Sequence, residues 1–305
     1  MSVDLSKIKT EQRNEATKDI DLLSTLDILK KINNEDKKVA LAVEKECEKI
    51  APLVDVVTEA ISNGGRLLYM GAGTSGRVGI MDAVECRPTF GVPHELVQCL
   101  MAGGELAFVR AVEGAEDNKV LAVDDLKKIN LNCKDVVIGI AASGRTPYVV
   151  SGIEYAKSLG CKTGCIVTSP NSILASIVDY KVEAITGEEV ITGSTRMKSG
   201  TAQKMICNMI STATMIKLGH VYQNLMVDVL PTNEKLVSRA IGIISEVTGL
   251  SRDEAKIYYD KFKNVKLALF SQMSGIDDVE KVNKIMEENK MNLRKALSSL
   301  KIENK

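Results

Sequence analysis

The chain lacks the features that mark several large classes of protein. Lysine plus arginine and aspartate plus glutamate each number 40 of 305 residues, so no net charge favours nucleic acid or an anionic membrane. Only His94 and His220 could offer imidazole, and no cysteine spacing is typical of zinc sites. There is no run of eighteen apolar residues, and the polar N-terminal segment has no apolar signal region. We therefore expect no metal and no membrane span.

The cysteines are seven in number, scattered along the chain and often in apolar runs. An odd and scattered set favours reduced thiols over a disulfide framework. This pattern predicts a cytoplasmic protein.

Small residues and hydroxyls follow two of the apolar runs. RLLYM at 66–70 leads into GAGTSGRVG, and DVVIGIA at 135–141 leads into ASGRTP. A helical pattern starts after each, so free backbone N–H groups and hydroxyls should meet at a helix N-terminus, where an anion binds well. Together the two loops predict a site for a phosphorylated small molecule. Its expected binding residues are Gly73, Thr74, Ser75, Ser143, Gly144, Arg145 and Thr146.

The first loop also has the G-x-G-x-x-G spacing of dinucleotide-binding folds, through Gly71, Gly73 and Gly76. Such folds usually add an acidic residue after the next strand, to bind a ribose hydroxyl. The next apolar run, ELVQCL at 95–100, is followed by Met101 and Ala102 instead. This disfavours a dinucleotide site, while glycines that serve only tight turns remain an alternative.

The apolar runs alternate with helix-length segments, which predicts an α/β fold with a five-stranded parallel sheet and helices on both faces. The expected strands are 66–70, 95–100, 135–141, 163–168 and 181–185. Helical periodicity before and after them divides the chain into an N-terminal helical segment, an α/β domain and a C-terminal helical bundle. The predicted bounds are 1–63, 64–232 and 233–305.

A third loop rich in hydroxyls and glycine, at 187–201, opens a long helix. Ser194, Thr195 and Lys198, with Arg196 beside them, could form another wall of the anion site. They could equally be a plain helix cap with solvated cations.

Two carboxylates are candidates for acid and base chemistry. Glu85 stands near the expected end of the helix opened by the first loop, just before Arg87 and Pro88 interrupt the pattern. The negative end of the helix dipole disfavours its ionised form, which suits a general acid if water is excluded. A surface glutamate paired with Arg87 fits the spacing as well. Glu116 lies in an acidic turn, for which a solvated loop is the simpler interpretation.

Ten residues of helix separate Ser75 from Glu85, or roughly 15 Å at the usual rise. A hexose phosphate spans only about half of that distance. Either the phosphate binds at 143–146, or a second subunit completes the site. We therefore expect a homodimer with a shared site.

Long motifs resemble one family. YMGAGTSGRVGIMDAVECRPTFG, AVEGAED, IGIAASGRTPYVVSGIEYAKSLG and GSTRMKSGTAQK are similar to sequences of the N-acetylmuramic acid 6-phosphate etherases, members of the sugar isomerase (SIS) fold group. The likeness runs from about Thr10 through the helical tail.

The resemblance implies a lyase that removes D-lactate from N-acetylmuramic acid 6-phosphate and adds water, giving N-acetylglucosamine 6-phosphate in cell-wall sugar recycling. It implies that Glu85 is the acid that protonates the departing lactate and that Glu116 is the base at carbon 2, with no cofactor. The lactyl carboxylate could be bound by Arg77, Arg145, Arg196 or Lys198. A sugar-phosphate isomerase and a non-catalytic sugar-phosphate regulator of the same fold group are the alternatives.

Overall fold

The computed structural model describes residues 9–231 and 233–303. The chain forms two compact units. The first contains the residues up to Val84 together with His94–Thr212, and the second contains Glu85–Pro93 and the residues from Ala213 onward. The predicted division into 1–63, 64–232 and 233–305 stays a prediction, and its residues 1–8, 232, 304 and 305 lie outside the described residues.

Five parallel strands form the sheet of the first unit, in the order β2-β1-β3-β4-β5. The predicted parallel α/β fold is confirmed, and each strand end lies one or two residues from the predicted position. The strands are β1 (Leu67–Gly71), β2 (Val97–Met101), β3 (Val136–Ile140), β4 (Lys162–Val167) and β5 (Tyr180–Glu183).

Helices connect the strands and precede them. Two of them run from the first unit into the second: α3 (Gly73–Phe90) and α8 (Lys198–Leu218). Those contained in the first unit are α1 (Thr25–Glu44), α2 (Cys47–Ser62), α4 (Gly104–Val109), α5 (Lys119–Lys128), α6 (Pro147–Ser158) and α7 (Ile173–Ile177). Short 3₁₀ turns precede α1, at Lys9–Glu11, Glu15–Thr17 and Ile20–Leu22.

Side chains alternate along β1 between the two faces of the sheet, and helices cover both faces, which gives three layers. Leu68 and Met70 are fully buried in one core, together with Leu126 of α5 and Ile153 of α6. Tyr69 points to the opposite face, where its hydroxyl bonds to α3 and α8. Because consecutive strand residues face opposite sides, both faces of the sheet are apolar and each is covered by helices.

Pro88 does not end α3, which corrects the sequence interpretation. The helix continues to Phe90, and Gly91 closes it at φ +68° with its N–H donating to the Arg87 carbonyl, 2.9 Å away. A proline in the last turn removes one helical N–H only, and the following turn can still form. Glu85 therefore lies about one turn further inside the helix than expected.

The second unit contains a bundle of short helices and a two-stranded hairpin, β6 (Val221–Tyr222) and β7 (Leu225–Met226). The bundle was predicted and the hairpin was not. Gly249 and Gly275 end two helices at φ +76° and +74°. The helices are α9 (Glu234–Thr248), α10 (Arg252–Phe262), α11 (Val265–Ser274), α12 (Val279–Glu288) and α13 (Leu293–Glu303).

Ile244, Phe270 and Met286 are fully buried and lie in one apolar core of this unit. In the described parts of the chain, no helix combines the length and the apolar character that crossing a bilayer requires.

Candidate active site

The carboxyl ends of β1 and β3 lie side by side, because these two strands are hydrogen-bonded neighbours. The chain leaves β1 into α3 and leaves β3 into α6, and the order of strands changes direction between them. In open parallel sheets ligands bind outside the carboxyl ends at such a point. Both glycine and hydroxyl loops predicted from the sequence therefore meet at this edge.

The first loop is short, since α3 begins at Gly73, two residues after β1 ends. Gly73 adopts φ +53°, a conformation that favours glycine, and space for a side chain is open around it. Thr74 and Ser75 follow in the first helical turn. The buried Ser75 hydroxyl donates to Gln203 Oε1 of α8 at 2.9 Å.

Gln203 was not singled out from the sequence, although it lies in the GTAQK string. Its side chain is 1% exposed, and its Nε2 has no hydrogen-bond partner among the described residues. A buried amide N–H group without an acceptor is costly. The start of α3 therefore has a spare donor beside Ser75.

The second loop leaves the N-terminus of α6 open. Thr146 occupies the cap position, but its side chain makes no capping bond, and Pro147 supplies no N–H group. Gly144 turns at φ +63°, and its carbonyl accepts from the N–H of Leu174 at 3.0 Å. The Ser143 and Thr146 side chains are half-buried and Arg145 is exposed. The loop thus holds hydroxyls next to an uncapped helix N-terminus.

The N-terminus of α8 is closed by the chain itself. Glu189 is fully buried, and its two carboxylate oxygens accept the backbone N–H groups of Lys198 and Ser199, each at 2.9 Å. A carboxylate at this position satisfies the positive end of the helix. A helix cap was one of the two interpretations of the third loop, and this terminus is indeed capped. The capping residue, Glu189, was not singled out from the sequence.

Lys198 is not solvated. Its side chain is 1% exposed, and its ammonium donates to Glu35 of α1 at 2.7 Å. Ser194 and Thr195 are half-buried, and the backbone N–H of Ser194 donates to the Ile191 carbonyl at 2.9 Å. Gly200 of α8 approaches Thr74 so closely that a Cβ there would lie 3.1 Å from the threonine methyl. The third loop is therefore next to the first, while the binding roles of these three residues stay predictions.

Glu116 lines a pocket of about 240 Å³ together with Gly73. It is exposed on the 3₁₀ turn Ala115–Asp117, which Gly114 opens at φ +73°. Arg77 also lines the pocket, and its guanidinium donates to the carbonyls of Ala107 and Phe108 at the end of α4. The structure thus brings Glu116 next to the first loop.

Glu85 is exposed on α3 and belongs to the second unit, whereas Glu116 belongs to the first. Met81 and Val84, on the same stretch of the helix, are 43% and 52% exposed. An apolar surface therefore surrounds this carboxylate on its own helix.

One turn earlier, a buried carboxylate anchors α3. Asp82 is 3% exposed and accepts hydrogen bonds from Tyr69 of β1 and from Asn208 and Ser211 of α8, at 3.1, 2.5 and 2.9 Å. Burial raises the pKa of Asp82, and the three donors oppose that effect. In the described chain, no group of three or more His, Cys, Asp or Glu side chains is arranged to hold a metal ion.

Comparison with known proteins identifies the family. The model of the glucokinase regulatory protein N-terminal SIS domain matches residues 49–157, and the SIS domain model matches residues 121–213. An N-acetylmuramic acid 6-phosphate etherase of Clostridium botulinum strain Langeland is 51% identical over 300 residues, which cover 98% of this chain and 99% of that one. The chain belongs to the N-acetylmuramic acid 6-phosphate etherase family. As a member it is an enzyme of the carbon–oxygen lyase class.

The etherase of Clostridium beijerinckii is 52% identical over 98% of each chain, and that of Cronobacter sakazakii is 51% identical over 90% of this chain and 93% of its own. Among solved structures, a phosphoheptose isomerase of Francisella tularensis has a TM-score of 0.48 and 16% identity, over 63% of this chain and 98% of its own. A phosphoheptose isomerase of Neisseria gonorrhoeae has a TM-score of 0.47 and 13% identity, over 63% and 98%.

Proposed function

We propose that the chain cleaves the lactyl ether of N-acetylmuramic acid 6-phosphate, releasing D-lactate and forming N-acetylglucosamine 6-phosphate in cytoplasmic recycling of cell-wall sugars. The observation that carries the proposal is 51% identity, over nearly the whole length, to an enzyme named for this substrate. The motifs that hold Glu85, Glu116 and both hydroxyl loops are present in this chain.

The phosphate binds at the N-terminus of α6. This terminus has an N-cap residue with a free hydroxyl, whereas Glu189 already occupies the N-terminus of α8. Ser143 and Thr146 donate to the phosphate oxygens beside the first N–H groups of the helix. Binding at this remote group holds the open-chain sugar in place while its carbons react.

Glu116 removes the proton at carbon 2. In the ring-opened sugar this hydrogen is α to the aldehyde, and is acidic enough for a carboxylate base. The pocket that Glu116 shares with Gly73 lies at the carboxyl edge of β1, next to the β3 loop, and has room for several sugar atoms.

Glu85 protonates the ether oxygen on carbon 3 as the bond to that carbon breaks and D-lactate leaves. Water then adds to the unsaturated aldehyde at carbon 3, and a proton returns to carbon 2, so substrate plus water balances lactate plus product. Each proton transfer contributes about 10²- to 10⁴-fold to the rate.

The two glutamates come from different copies of a homodimer. About 15 Å of helix separates Glu85 from Ser75, from a rise of 1.5 Å per residue. Glu85 and Glu116 are both exposed in the single chain. Apolar side chains near each of them are also exposed: Val84 at 52%, Phe108 at 47% and Val109 at 77%. Covering these surfaces by a second copy would exclude water from both carboxylates, as their roles require.

Deuterium uptake separates the two roles. With substrate in heavy water, we expect Glu85→Gln to stop lactate release but to keep exchange at carbon 2, and Glu116→Gln to lose both. Glu113→Gln, at a neighbouring acid of the same pocket, is the matched control and should retain both. Exchange that persists in Glu116→Gln overturns the assignment of the base.

Mixing the two inactive variants tests the shared site. If each site uses Glu85 of one copy and Glu116 of the other, a hybrid dimer of Glu85→Gln and Glu116→Gln has one site with both glutamates intact. Random reassociation of equal amounts makes half of the dimers hybrids, so about a quarter of the sites recover activity. If both glutamates come from one chain, the mixture stays inactive.

The reaction class is tested with substrate in ¹⁸O-water. Unlabelled lactate with ¹⁸O at carbon 3 of the product supports elimination and hydration. Binding without lactate release would favour a regulator, the class that the glucokinase regulatory protein domain model represents. Interconversion of aldose and ketose without lactate would favour an isomerase.

A further inference from the structure

A second cavity, of about 290 Å³, lies inside the second unit and contains none of the residues assigned above to binding or catalysis. Its walls come from the ends of α3, α8 and α10, the segment 227–231, the start of α11 and the chain just after α12. Four basic side chains line it against one acidic side chain, Asp228. The basic residues are His220, Lys263, Lys266 and Lys290. We propose that this cavity binds the phosphate group of a small organic phosphate.

Lys266 is the most informative member of the set. It is 2% exposed, and its Nζ lies 2.5 Å from Asp228 Oδ2. His220 Nδ1 lies 2.7 Å from the same oxygen. A lysine is rarely buried without an ionic partner, because its charge loses hydration. Here Lys266 and His220 share one oxygen of Asp228.

Lys290 has no such partner. It follows α12 at φ +53°, and in the described chain its side chain makes no ion pair or hydrogen bond. Lys263, across the cavity, pairs with Asp260 Oδ1 at 2.7 Å, but that aspartate is exposed, also binds Lys256, and lies outside the cavity lining. The interior of the cavity therefore has an excess of positive charge.

The position of Lys263 supports a binding role. It ends α10 with a left-handed backbone, at φ +50°. Gly249 and Gly275 have the same conformation at the ends of α9 and α11. Glycine takes this conformation freely, whereas lysine pays a conformational cost. Lysine here supplies a charged side chain on the cavity wall, which glycine could not.

Backbone donors add to the side chains. Asn264 caps α11 by accepting the N–H of Leu267 with its side chain and that of Ala268 with its carbonyl. The N–H groups of Val265 and Lys266 precede these, have no acceptor among the described residues, and belong to residues that line the cavity. Together with the lysines they suit the several oxygens of a phosphate dianion.

The rest of the wall sets the size and character of the ligand. Phe90, Val227, Val229 and Tyr259 supply apolar surface, so the ligand has a carbon skeleton as well as a charged group. The volume is at the lower end of small-molecule pockets. A three- or four-carbon phosphate ester fits this description better than a nucleotide does.

Methionine methyl NMR tests the proposal site by site. Met291 lines this cavity, and Met101 lines the pocket that contains Glu116. With ¹³C-methyl methionine and glycerol 3-phosphate as the probe, we expect the Met291 signal to shift along a saturable curve. A shift of Met101 alone would place phosphate binding at the sheet edge only and would overturn the proposal.

Variants of exposed lysines keep the fold intact while they test the charge. Lys290→Gln should weaken the Met291 response about fivefold, and Lys263→Gln with Lys290→Gln more than tenfold. Lys284→Gln is the matched control, since Lys284 is exposed on α12 and does not line the cavity. Equal affinities in Lys290→Gln and Lys284→Gln would overturn the proposal, as would binding of propionate as tight as that of glycerol 3-phosphate.

Discussion

Lys198 Nζ lies 2.7 Å from Glu35 Oε2, and the two side chains are 1% and 5% exposed. The pair joins α1 to the first residue of α8, next to the hydroxyl loops. Glu35 also accepts from Lys38 through its other oxygen at 2.6 Å. Because a buried charge without its partner is costly, the pair fixes how the N-terminal helix packs on the α/β core.

The stability of the chain should fall in acid through Glu35. Burial by itself raises the pKa of Glu35, but hydrogen bonds from Lys198 and Lys38 outweigh it and lower the pKa from 4.5 to about 2. Because folding lowers this pKa, ionised Glu35 stabilises the folded chain fully above the unfolded pKa of 4.5. That stabilisation is lost as the pH falls from about 4.5 to about 2. The contribution is of the order of 3 kcal/mol.

Urea unfolding at several pH values between 7 and 2 measures this effect. Glu35→Gln should show a smaller loss between pH 5 and pH 2 than the unmodified chain. Glu44→Gln, at an exposed position of the same helix, should keep the full loss. Equal slopes in Glu35→Gln and the unmodified chain would contradict the ion-pair explanation.

Asp82 should matter more for its shape and acceptors than for its charge. Asp82→Ala removes an acceptor that Tyr69, Asn208 and Ser211 share, and should lower the free energy of unfolding by about 3 kcal/mol. Asp82→Asn retains one acceptor oxygen and should cost about 1 kcal/mol. Chemical denaturation at pH 7 distinguishes the two.

The same pair of variants reports the pKa of Asp82. Burial raises that pKa, so the stabilising contribution of the carboxyl group is present below its unfolded value of 3.8 and is lost as the pH rises through the folded value. The difference in free energy of unfolding between the unmodified chain and Asp82→Asn should therefore be largest at acid pH. A gap that widens toward neutral pH would contradict this.

Gly144 should be intolerant of any side chain. Its φ is +63°, and an added Cβ would lie 2.4 Å from Cβ and Oγ of Ser172. Gly64 has φ +81° with open space around it, so Gly64→Ala measures the conformational cost alone, about 1 kcal/mol. Gly144→Ala should cost at least about 1 to 3 kcal/mol more, by thermal or urea unfolding. Equal costs would mean that Ser172 yields without penalty.

Removing single hydroxyls at the start of α6 should weaken substrate binding. Ser143→Ala and Thr146→Val should each raise KM about tenfold with kcat changed little, because the contacts are to the unreacting phosphate. Ser158→Ala, at the other end of α6, where Ser158 donates to the Tyr155 carbonyl, is the control. An unchanged KM in both loop variants would contradict phosphate binding at this helix terminus.

Local patterns were sufficient to predict much of the fold. Apolar runs such as 135–141 are bounded by small and polar residues, so each predicted strand end lies within two residues of the observed one. The resemblance carried by the long motifs supplied the candidate roles of Glu85 and Glu116, which spacing alone left open.

Contacts between distant parts of the chain had no such signal. Glu35 and Lys198 are 163 residues apart, and neither differs in sequence from a surface helix charge. Glu189 looks like the second of two loop acids, yet it is fully buried against two N–H groups. Tertiary burial, which decides such pairings, is not encoded in the spacing of neighbouring residues.

The carboxylate of Glu189 has a consequence for how a ligand is oriented. It occupies the N-terminus of α8, where an anion would otherwise bind. Its negative charge disfavours a phosphate group on that side of the sheet edge. A sugar phosphate has two anionic ends once it bears a lactyl group, and could otherwise enter in either direction. If the phosphate binds at α6, as proposed, Glu189 disfavours the reverse orientation, in which the phosphate would lie at α8.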